Sequence, residues 1–230
     1  MHVITVEKKV LEKNDEVASR NRTDFKSEGL FTINVLGSPG SGKTTLLEQT
    51  ILRSKELFKT EVIEGDIQTD LDAQRISALD IPVVQIVTNG ACHLEAQLVR
   101  DSYMQLPDGD ADLLIIENVG NLVCPAGYDL GEDKKIVVLS VTEGEDKPLK
   151  YPKMFRQSSV MIVNKIDLLP YVSCSIDKLV SNAKMINPDL IVFKLSCTTG
   201  EGFDEWIKWL DDQVESIEIP EFEDVSGSSR

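Results

Sequence analysis

A glycine-rich segment, Gly37-Ser38-Pro39-Gly40-Ser41-Gly42-Lys43-Thr44, lies between an apolar run and a stretch with helical periodicity. Its fixed positions and its strand-to-helix setting match a phosphate-binding loop. Glycines let backbone N–H groups face phosphate oxygens, and the following helix adds the positive end of its dipole. We expect Lys43 to contact the β- and γ-phosphates, Thr44 to ligate Mg²⁺, and Thr45 to belong to the nucleotide site. The segment therefore predicts binding of a nucleoside triphosphate with Mg²⁺.

A second motif, Asn164-Lys165-Ile166-Asp167, follows another apolar run and is typical of a loop that reads guanine. The carboxylate of Asp167 can accept two hydrogen bonds from the N1–H and N2–H₂ edge of guanine, which adenine does not present. We expect Asn164 and the stem of Lys165 to brace this loop. Ser196 and Cys197 resemble the loop that closes over the base in GTP-binding proteins, and a simple strand-to-helix turn is the alternative.

Carboxylates follow two further apolar runs. Glu117 is expected to face the phosphate loop, with Gly120 close enough to detect the γ-phosphate. Ordinary GTPases carry Asp at this position, so Glu117 and its flanking residues indicate the branch of P-loop proteins that dimerise around their nucleotides. Asp66 and Asp72, with Asp70 between them, are candidates for Mg²⁺ coordination or for orienting the attacking water; a solvated helix start is the alternative. The predicted catalytic set is Lys43, Asp66, Asp72 and Glu117, and the predicted magnesium set is Thr44, Asp66, Asp72 and Glu117.

Soft metal ligands lie close to these motifs in the sequence. Cys92 and His93 are adjacent, just after an Asn-Gly turn, and Cys124 follows the segment that Glu117 begins. Two thiolates and an imidazole suit Zn²⁺ or Ni²⁺ and leave a tetrahedral site one ligand short, so water or a second subunit has to complete it. An incidental Cys-His pair and a small buried cysteine are the alternative. We interpret Cys174 and Cys197 as structural cysteines. His2 is a terminal residue that we expect to take no part in the site.

The amino-acid composition limits the possible interaction partners and the cellular compartment of the protein. The chain has 230 residues, with 24 Lys and Arg against 39 Asp and Glu, and a formal net charge of −15. This charge repels nucleic acid and anionic membranes at long range, so we expect neither as a partner. The sequence shows no disulfide-like cysteine framework, no signal peptide and no apolar stretch long enough to span a bilayer, which predicts a cytoplasmic protein with reduced thiols.

Short apolar runs alternate with amphipathic stretches from residue 31 onward, and these predict the elements that have to position the motifs. The predicted strands are 31–36, 61–64, 83–87, 112–117, 135–141, 159–163 and 190–195. The predicted helices are 43–54, 71–79, 92–104, 175–186 and 203–215. Because several strands are apolar on both faces, the predicted fold class is α/β, a P-loop NTPase with a mostly parallel central sheet and helices on both faces.

The chain divides into three predicted segments. Residues 1–28 form an N-terminal helical arm, in which Val6, Val10, Leu11 and Val17 make an apolar stripe. Residues 29–215 form the nucleotide-binding domain with its metal site. Residues 216–230 form an acidic tail that becomes small and polar, and we expect it to be disordered.

Four segments, residues 37–44, 92–96, 117–125 and 164–168, together resemble the HypB family of GTPases, which assist nickel insertion into [NiFe] hydrogenase. The similarity extends to about residue 215. The Cys-His and Cys-Pro pairs distinguish this family from related GTPases of urease nickel delivery and cobalamin-enzyme maturation. The resemblance implies a SIMIBI-class P-loop GTPase that slowly hydrolyses GTP to GDP and phosphate. It also implies that Cys92, His93 and Cys124 bind Zn²⁺ or Ni²⁺ where two GTP-loaded subunits meet.

The same resemblance implies a GTP-dependent homodimer, a HypA-type nickel metallochaperone as partner and a hydrogenase large-subunit precursor as client. Lys150 lies where family members contact nucleotide across the dimer. Many bacterial members carry an N-terminal Cys-rich nickel motif and a His-rich stretch; neither occurs in the first 36 residues, so nickel storage is not expected. The predicted function is a GTP-hydrolysing metallochaperone. Two alternatives remain, a nucleotide-switched maturation scaffold with a structural zinc and an ATPase in which Asp167 plays no part in base choice.

Overall fold

A sheet of seven parallel strands forms the centre of the computed structural model of the chain, which describes residues 6–68, 71–107 and 109–217 and, for residues 6–8, the backbone alone. The strands are β1 Phe31–Gly37, β2 Thr60–Asp66, β3 Val83–Val87, β4 Leu113–Glu117, β5 Lys134–Ser140, β6 Val160–Asn164 and β7 Ile191–Lys194. Their spatial order is β3-β2-β4-β1-β5-β6-β7, and every adjacent pair is parallel. The carboxyl ends of β1, β4 and β6 therefore share one edge of the sheet, where α/β proteins bind ligands.

Helices cover both faces of this sheet. They are α1 Val6–Ser27, α2 Lys43–Ser54, α3 Leu71–Ser77, α4 Ala96–Tyr103, α5 Lys147–Lys150, α6 Pro152–Gln157, α7 Ile176–Ile186 and α8 Phe203–Glu215, with 3₁₀ turns at Pro125–Gly127, Val141–Glu143 and Ile166–Tyr171. Side chains of α2, α3 and α8 pack on the face that carries Ile33 and Val35. Those of α1, α4, α6 and α7 pack on the other face. Strands buried on both faces explain the continuous apolar runs, and the predicted fold class is confirmed.

Helix boundaries differ from the prediction in several places. The helix expected at 92–104 begins only at Ala96, because Cys92 and His93 lie in the bend that precedes it. The helix expected at 71–79 ends at Ser77 and is followed by a turn. Helices α5 and α6 were not predicted, since four and six residues are too few to show a helical period in the sequence.

The N-terminal helix α1 has 22 residues and packs closely on the domain. Its buried face consists of Asn14, Ala18, Asn21 and Phe25, spaced at the helical repeat. The predicted apolar stripe was wrong at Val10, whose side chain is exposed. The stripe was assigned on the assumption that a packing face is apolar, whereas this face contains two hydrogen-bonded asparagines. His2, Asp70 and the tail from residue 218 lie outside the described residues.

Candidate nucleotide and metal sites

The phosphate loop joins β1 to α2 in a shape that requires glycine. Gly40 and Gly42 have φ angles of 76° and 93°. A Cβ on Gly42 would lie 2.5 Å from the side-chain nitrogen of Asn164, and a Cβ on Gly37 would lie 2.6 Å from a backbone carbonyl of β5. Helix α2 begins at Lys43, so its free N–H groups are directed toward the loop. The loop therefore has the backbone geometry of an anion site.

A cleft of about 750 Å³ opens above this loop and brings together most of the predicted nucleotide residues. Those that line it are Pro39, Gly40, Gly42, Lys43, Thr44, Thr45, Asp66, Asp72, Gly120, Asn164, Lys165, Asp167 and Cys197. Ser38 and Ser41 shape the loop itself, since the Ser41 N–H donates to the Ser38 carbonyl at 3.1 Å. Thr198, which follows Ser196 and Cys197 in the predicted base loop, also lines the cleft, as does Arg75, which the sequence had not identified.

A pair of buried carboxyl groups lies behind Thr44. Thr44 Oγ1 donates to Glu117 Oε1 at 2.9 Å, and the Lys43 ammonium lies 3.7 Å from the same oxygen. Glu64 on β2 is in register with Glu117 on β4, and each residue is 2% exposed. Burial, together with the adjacent Glu117, raises the pKa of Glu64 to about 11. Burial also raises the pKa of Glu117, although Lys43 opposes this effect.

These two carboxyl groups are of the chemical type that binds divalent cations. The Oε2 atoms of Glu64 and Glu117 are buried and have no hydrogen-bond partner among the described residues. Such oxygens, next to the hydroxyl of Thr44, are hard ligands of the type that Mg²⁺ prefers. A cation there would favour the ionised carboxylates, whose charge is otherwise disfavoured by burial.

Asp66 and Asp72 border the cleft on the side of α3. Asp66 is the last residue of β2, and its carboxylate accepts a hydrogen bond from the Ile67 N–H at 2.5 Å. Asp72 lies in the first turn of α3 and pairs with Arg75 at 3.1 Å. Arg75 also donates to Thr45 Oγ1 at 3.1 Å, next to the phosphate loop. The Arg75 guanidinium is also held by Glu48 at 2.5 Å, so a network of paired carboxylates and one guanidinium borders the outer end of the loop.

The base-side loop follows β6 and is tied to the phosphate loop. Asn164 Nδ2 donates to the Ser41 carbonyl at 3.0 Å, and Lys165 Nζ donates to the Gly40 carbonyl at 2.7 Å. Lys165 has a φ of 62°, which turns the chain so that Asp167 lines the cleft. The two motifs, far apart in sequence, therefore form one structural unit.

Asp167 is held in place by the segment after β7. Ser196 Oγ donates to Asp167 Oδ1 at 2.5 Å. The Cys197 N–H donates to Asn164 Oδ1 at 3.3 Å, and burial raises the pKa of the Cys197 thiol to about 11. Cys197 is therefore a neutral residue that packs in the wall of the cleft. Ser196 orients the carboxylate of Asp167 through its hydroxyl group.

Cys92, His93 and Cys124 form one cluster, with ligand atoms within 4.8 Å of one another. Cys92 Sγ lies 3.7 Å from His93 Nδ1, and the His93 ring stacks on Tyr128 with ring centroids 4.0 Å apart. Burial lowers the pKa of His93, which favours the neutral imidazole that binds metals. The contact with Cys124 raises the pKa of the Cys92 thiol. Two thiols and a neutral imidazole at this spacing suit Zn²⁺ or Ni²⁺.

The cluster is connected to the phosphate loop through the segment after β4. Asn121 Nδ2 donates to the Cys92 carbonyl at 3.3 Å, and Asn121 also forms an isolated antiparallel bridge with Gly37. Asn118 Oδ1 accepts from the Leu94 N–H at 3.3 Å. The segment that begins with Glu117 thus holds the backbone around Cys92 and His93.

Two predicted or candidate residues lie away from these sites. Lys150, at the end of α5, does not line the cleft; it is exposed and pairs with Asp146 at 2.6 Å. Cys174 is half-buried among apolar residues next to α7 and is not part of the cluster.

Comparisons with known proteins match the sequence and the fold of this chain. Residues 31–194 match the CobW/HypB/UreG nucleotide-binding domain. The chain is 50% identical over 211 residues to the hydrogenase maturation factor HypB of Escherichia coli strain K12, a match that covers 92% of this chain and 73% of that protein. The chain belongs to the HypB family. It is also 40% identical to the probable HypB of Methanocaldococcus jannaschii, with 94% of this chain and 97% of that protein covered.

Solved HypB structures have the same fold. The HypB of Archaeoglobus fulgidus is 37% identical, with a TM-score of 0.83 and coverage of 89% of this chain and 100% of that one. The HypB of Helicobacter pylori, solved in complex with nickel, is 38% identical, with a TM-score of 0.84 and coverage of 88% and 95%. Within the described part of this HypB-family chain, no helix is both long enough and apolar enough to cross a membrane.

Three residues of the HypB-type site were not identified from the sequence. Glu64 could have been recognised as an acidic residue at the carboxyl end of an otherwise apolar strand. Arg75 lies on the polar side of a short helix, where charged residues are common. Asn121 gives no sequence signal, because its importance comes from contacts with Gly37 and Cys92 that only the folded chain creates.

Proposed function

We propose that this chain is a GTP-hydrolysing metallochaperone that assists nickel insertion during [NiFe] hydrogenase maturation. The observation that carries the proposal is the contact between the two sites, since Asn121 touches both the phosphate loop and the backbone of Cys92. A nucleotide-driven metal carrier needs such a contact, whereas a simple switch GTPase has no use for soft ligands beside its loop. Membership of the HypB family and the nickel complex of the Helicobacter pylori relative support nickel as the cargo.

Guanine is the base that suits the cleft. Asp167 lines it, with one carboxylate oxygen held by the Ser196 hydroxyl at 2.5 Å. A carboxylate in this position accepts the two N–H donors of the guanine edge, and adenine offers no such pair. This arrangement supports GTP as the nucleotide and argues against the ATPase alternative.

Hydrolysis would use the residues around Lys43. Thr44 and Glu117 would hold Mg²⁺, with Glu64, Asp66 or Asp72 as a further carboxylate, because their oxygens are clustered beside the loop. Bound Mg²⁺ would neutralise charge on the β- and γ-phosphate oxygens. Lys43 would contact the same phosphates, and Asp66 or Asp72 would orient the attacking water.

The incomplete ligand set supports delivery of the metal over permanent retention. Structural zinc sites are closed by four protein ligands, whereas Cys92, His93 and Cys124 supply three. All three are only half-buried, so the fourth ligand can come from water or from a second copy of the chain. An accessible, three-ligand site is the kind that exchanges its ion.

A GTP-dependent homodimer would complete both sites. Val123, beside Cys124, and Leu149, beside Lys150, are large apolar residues that are 60% and 50% exposed. Lys150 would then reach the nucleotide of the second copy, a role that its exposed position permits. We further propose a HypA-type nickel metallochaperone and a hydrogenase large-subunit precursor as partners in the cytoplasm.

Loss of the γ-phosphate would change the contacts of Gly120. A Cβ on Gly120 would lie 3.1 Å from Pro39, so this glycine packs directly on the phosphate loop. The neighbouring Asn121 then carries a displacement to Cys92, and residues 122–124 carry it to the second thiol. Metal affinity should therefore depend on the bound nucleotide.

Metal analysis and sizing of the protein with GDP and with a nonhydrolysable GTP analogue test the proposal. We expect a dimer with the analogue, a monomer with GDP, and different Ni²⁺ affinities in the two states. Equal Ni²⁺ affinity in both states would exclude the coupling. Zinc that does not exchange during turnover would favour the scaffold with a structural zinc.

A further inference from the structure

Helix α1 presents two buried asparagines to the domain, and neither takes part in the function described above. Asn14 is 7% exposed and Asn21 is 1% exposed, and their spacing of seven residues puts them on one face of the helix. Buried amides are costly unless they are hydrogen-bonded, so their partners indicate what the face is for.

Both asparagines join the same two segments. Asn14 Oδ1 accepts from the Ala96 N–H at 2.9 Å, and its Nδ2 donates to the Asp129 carbonyl at 2.8 Å. Asn21 Nδ2 donates to the Ala96 carbonyl at 2.9 Å and to the Leu130 carbonyl at 3.0 Å. Each side chain therefore spans from the start of α4 to the loop at residues 129–130.

These two segments directly follow the candidate metal ligands in the chain. Ala96 follows Cys92 and His93 by a few residues and is the first residue of α4, whose N-cap Glu95 makes no side-chain capping bond. Asn14 supplies that missing cap from another helix. Asp129 lies just beyond Tyr128, whose ring stacks on His93 at 4.0 Å. Helix α1 thus connects the segment after Cys92 and His93 to the segment after Cys124, although it provides no metal ligand itself.

Gly131 shows that the helix is seated closely against the second segment. Its φ is 100°, and a Cβ there would lie 2.6 Å from Asn21 Cβ and 2.9 Å from the Ala18 carbonyl. A side chain at this position would push α1 away from the loop. The close approach is what allows both asparagine amides to reach backbone carbonyls of residues 129 and 130.

We propose that Asn14 and Asn21 are positioning residues of the metal site. By fixing Ala96 against residues 129–130, they set the distance between the Cys92-His93 segment and the Cys124 segment before any ion binds. A preorganised ligand set binds more tightly because less conformational freedom is lost on binding. The inference rests on the proposed function, in that it requires the cluster to bind Ni²⁺ or Zn²⁺.

Asn14→Ala and Asn21→Ala in the full chain test this role. Titration with Ni²⁺ and Zn²⁺ should show about tenfold weaker binding for each variant, the lower end of the loss expected for residues that orient metal ligands. With Co²⁺ as a probe, the thiolate-to-metal absorption bands should weaken or shift, which a general loss of stability would not cause. GDP affinity should stay at the wild-type value.

Two further variants separate positioning from simple docking of the helix. Tyr103→Phe removes the 2.5 Å hydrogen bond from α4 to Glu28, just after α1, but leaves both asparagines and their partners in place, so it should keep wild-type metal affinity and Co²⁺ bands. Asn14→Asp keeps an acceptor for the Ala96 N–H and loses the donor to Asp129, so its metal affinity should lie between those of wild type and Asn14→Ala.

Two outcomes would contradict these proposals. Wild-type metal affinity and spectra in both alanine variants would overturn this inference and leave the proposed function standing. A wild-type protein that binds neither Ni²⁺ nor Zn²⁺ would overturn the proposed function and this inference with it.

Discussion

The side-chain amide of Asn121 donates a hydrogen bond to the backbone carbonyl of Cys92 at 3.3 Å. The same residue bridges to Gly37, the first glycine of the phosphate loop. A single residue thus touches the segment that would bind phosphate and the segment that would bind metal. This is the shortest connection between the two sites among the contacts described above, and it predicts where coupling can be broken without loss of either ligand.

Asn121→Ala should reduce the nucleotide dependence of metal binding. The variant loses the bond to the Cys92 carbonyl but keeps all three metal ligands and the backbone of the phosphate loop. We expect the ratio of Ni²⁺ affinities with GDP and with a GTP analogue to approach one. The variant would then have lost a coupling free energy of about 1–3 kcal/mol. Calorimetric titration in both nucleotide states measures this ratio.

Asn187→Ala is the matched control for this variant. Asn187 also donates from its side-chain amide to backbone carbonyls, those of Phe155 at 3.1 Å and Ser158 at 2.9 Å, but it lies away from both the cleft and the metal cluster. It should retain the wild-type ratio of affinities. If Asn121→Ala also retains that ratio, coupling must pass through another contact, such as that between Asn118 and the Leu94 N–H.

The buried pair of Glu64 and Glu117 predicts a pH dependence of stability without Mg²⁺. The folded pKa of Glu64 is raised from 4.5 to about 11, so the folded chain keeps a proton that the unfolded chain releases. The free energy of unfolding should therefore fall as pH rises from about 4.5 toward 11. Glu64→Gln, which mimics the protonated group, should remove most of this slope and stabilise the protein by a few kcal/mol at pH 8.

Urea unfolding in EDTA at several pH values measures this effect. Glu205→Gln, on the exposed surface of α8, removes one carboxylate elsewhere and should leave the slope of the wild type unchanged. Mg²⁺ with GDP should stabilise the wild type more than Glu64→Gln, because the cation favours the ionised pair. If Glu64→Gln leaves the pH dependence of the unfolding free energy unchanged, the folded chain does not keep an extra proton on Glu64.

Asp167→Asn should change the base preference from guanine to xanthine. The asparagine offers a donor where the N1–H and N2–H₂ groups of guanine need acceptors, and xanthine presents a carbonyl at that edge. We expect GTP affinity to fall by about 10²-fold, as the loss of two charge-assisted hydrogen bonds implies, and XTP affinity to rise. Competition of unlabelled GTP, XTP and ATP against a labelled nucleotide gives the three affinities. Affinities that the substitution leaves unchanged, with ATP bound at least as tightly as GTP, would support the ATPase alternative.

The local motifs could be predicted from the sequence because their chemistry requires a fixed spacing. The phosphate loop needs glycines at set intervals before a helix, and Asp167 needs a strand end before it, so both show in the sequence. Glu64 and Asn121 were missed because their roles depend on pairing between β2 and β4 and on a bridge to Gly37. Such contacts join residues far apart in the chain, and no single-sequence period encodes them.

The N-terminal helix illustrates the same limit for packing. An apolar stripe was expected at Val10 and its neighbours, because burial usually follows hydrophobicity. The face that packs instead contains Asn14 and Asn21, which are buried because their amides find backbone partners. Polar residues on a buried face are indistinguishable in sequence from a solvated face until the partner segment is known.

Cys124→Ser should weaken metal binding by about 10²-fold, since it replaces one of three soft ligands with a hydroxyl that binds Zn²⁺ and Ni²⁺ poorly. Thiolate-to-metal absorption should fall accordingly. Cys174→Ser is the matched control, because Cys174 is also a half-buried free thiol but lies outside the cluster. Equal losses in both variants would mean that the cluster is not the binding site. Equilibrium dialysis followed by metal analysis makes the comparison.

Lys150→Ala should weaken the GTP-dependent dimer without affecting the monomer. Lys150 is exposed and pairs with Asp146 at 2.6 Å on the surface, so its removal costs little folding free energy. A lysine that contacts the nucleotide of a second copy would, however, contribute to association, and we expect about tenfold weaker dimerisation with a GTP analogue. Sedimentation over a range of protein concentrations measures the dimer dissociation constant.

Lys59→Ala is the control for Lys150→Ala. Lys59 is similarly exposed and pairs with Asp110 at 2.7 Å, near the amino end of β2 and away from the cleft. If both variants dimerise like the wild type, Lys150 does not contact nucleotide across an interface.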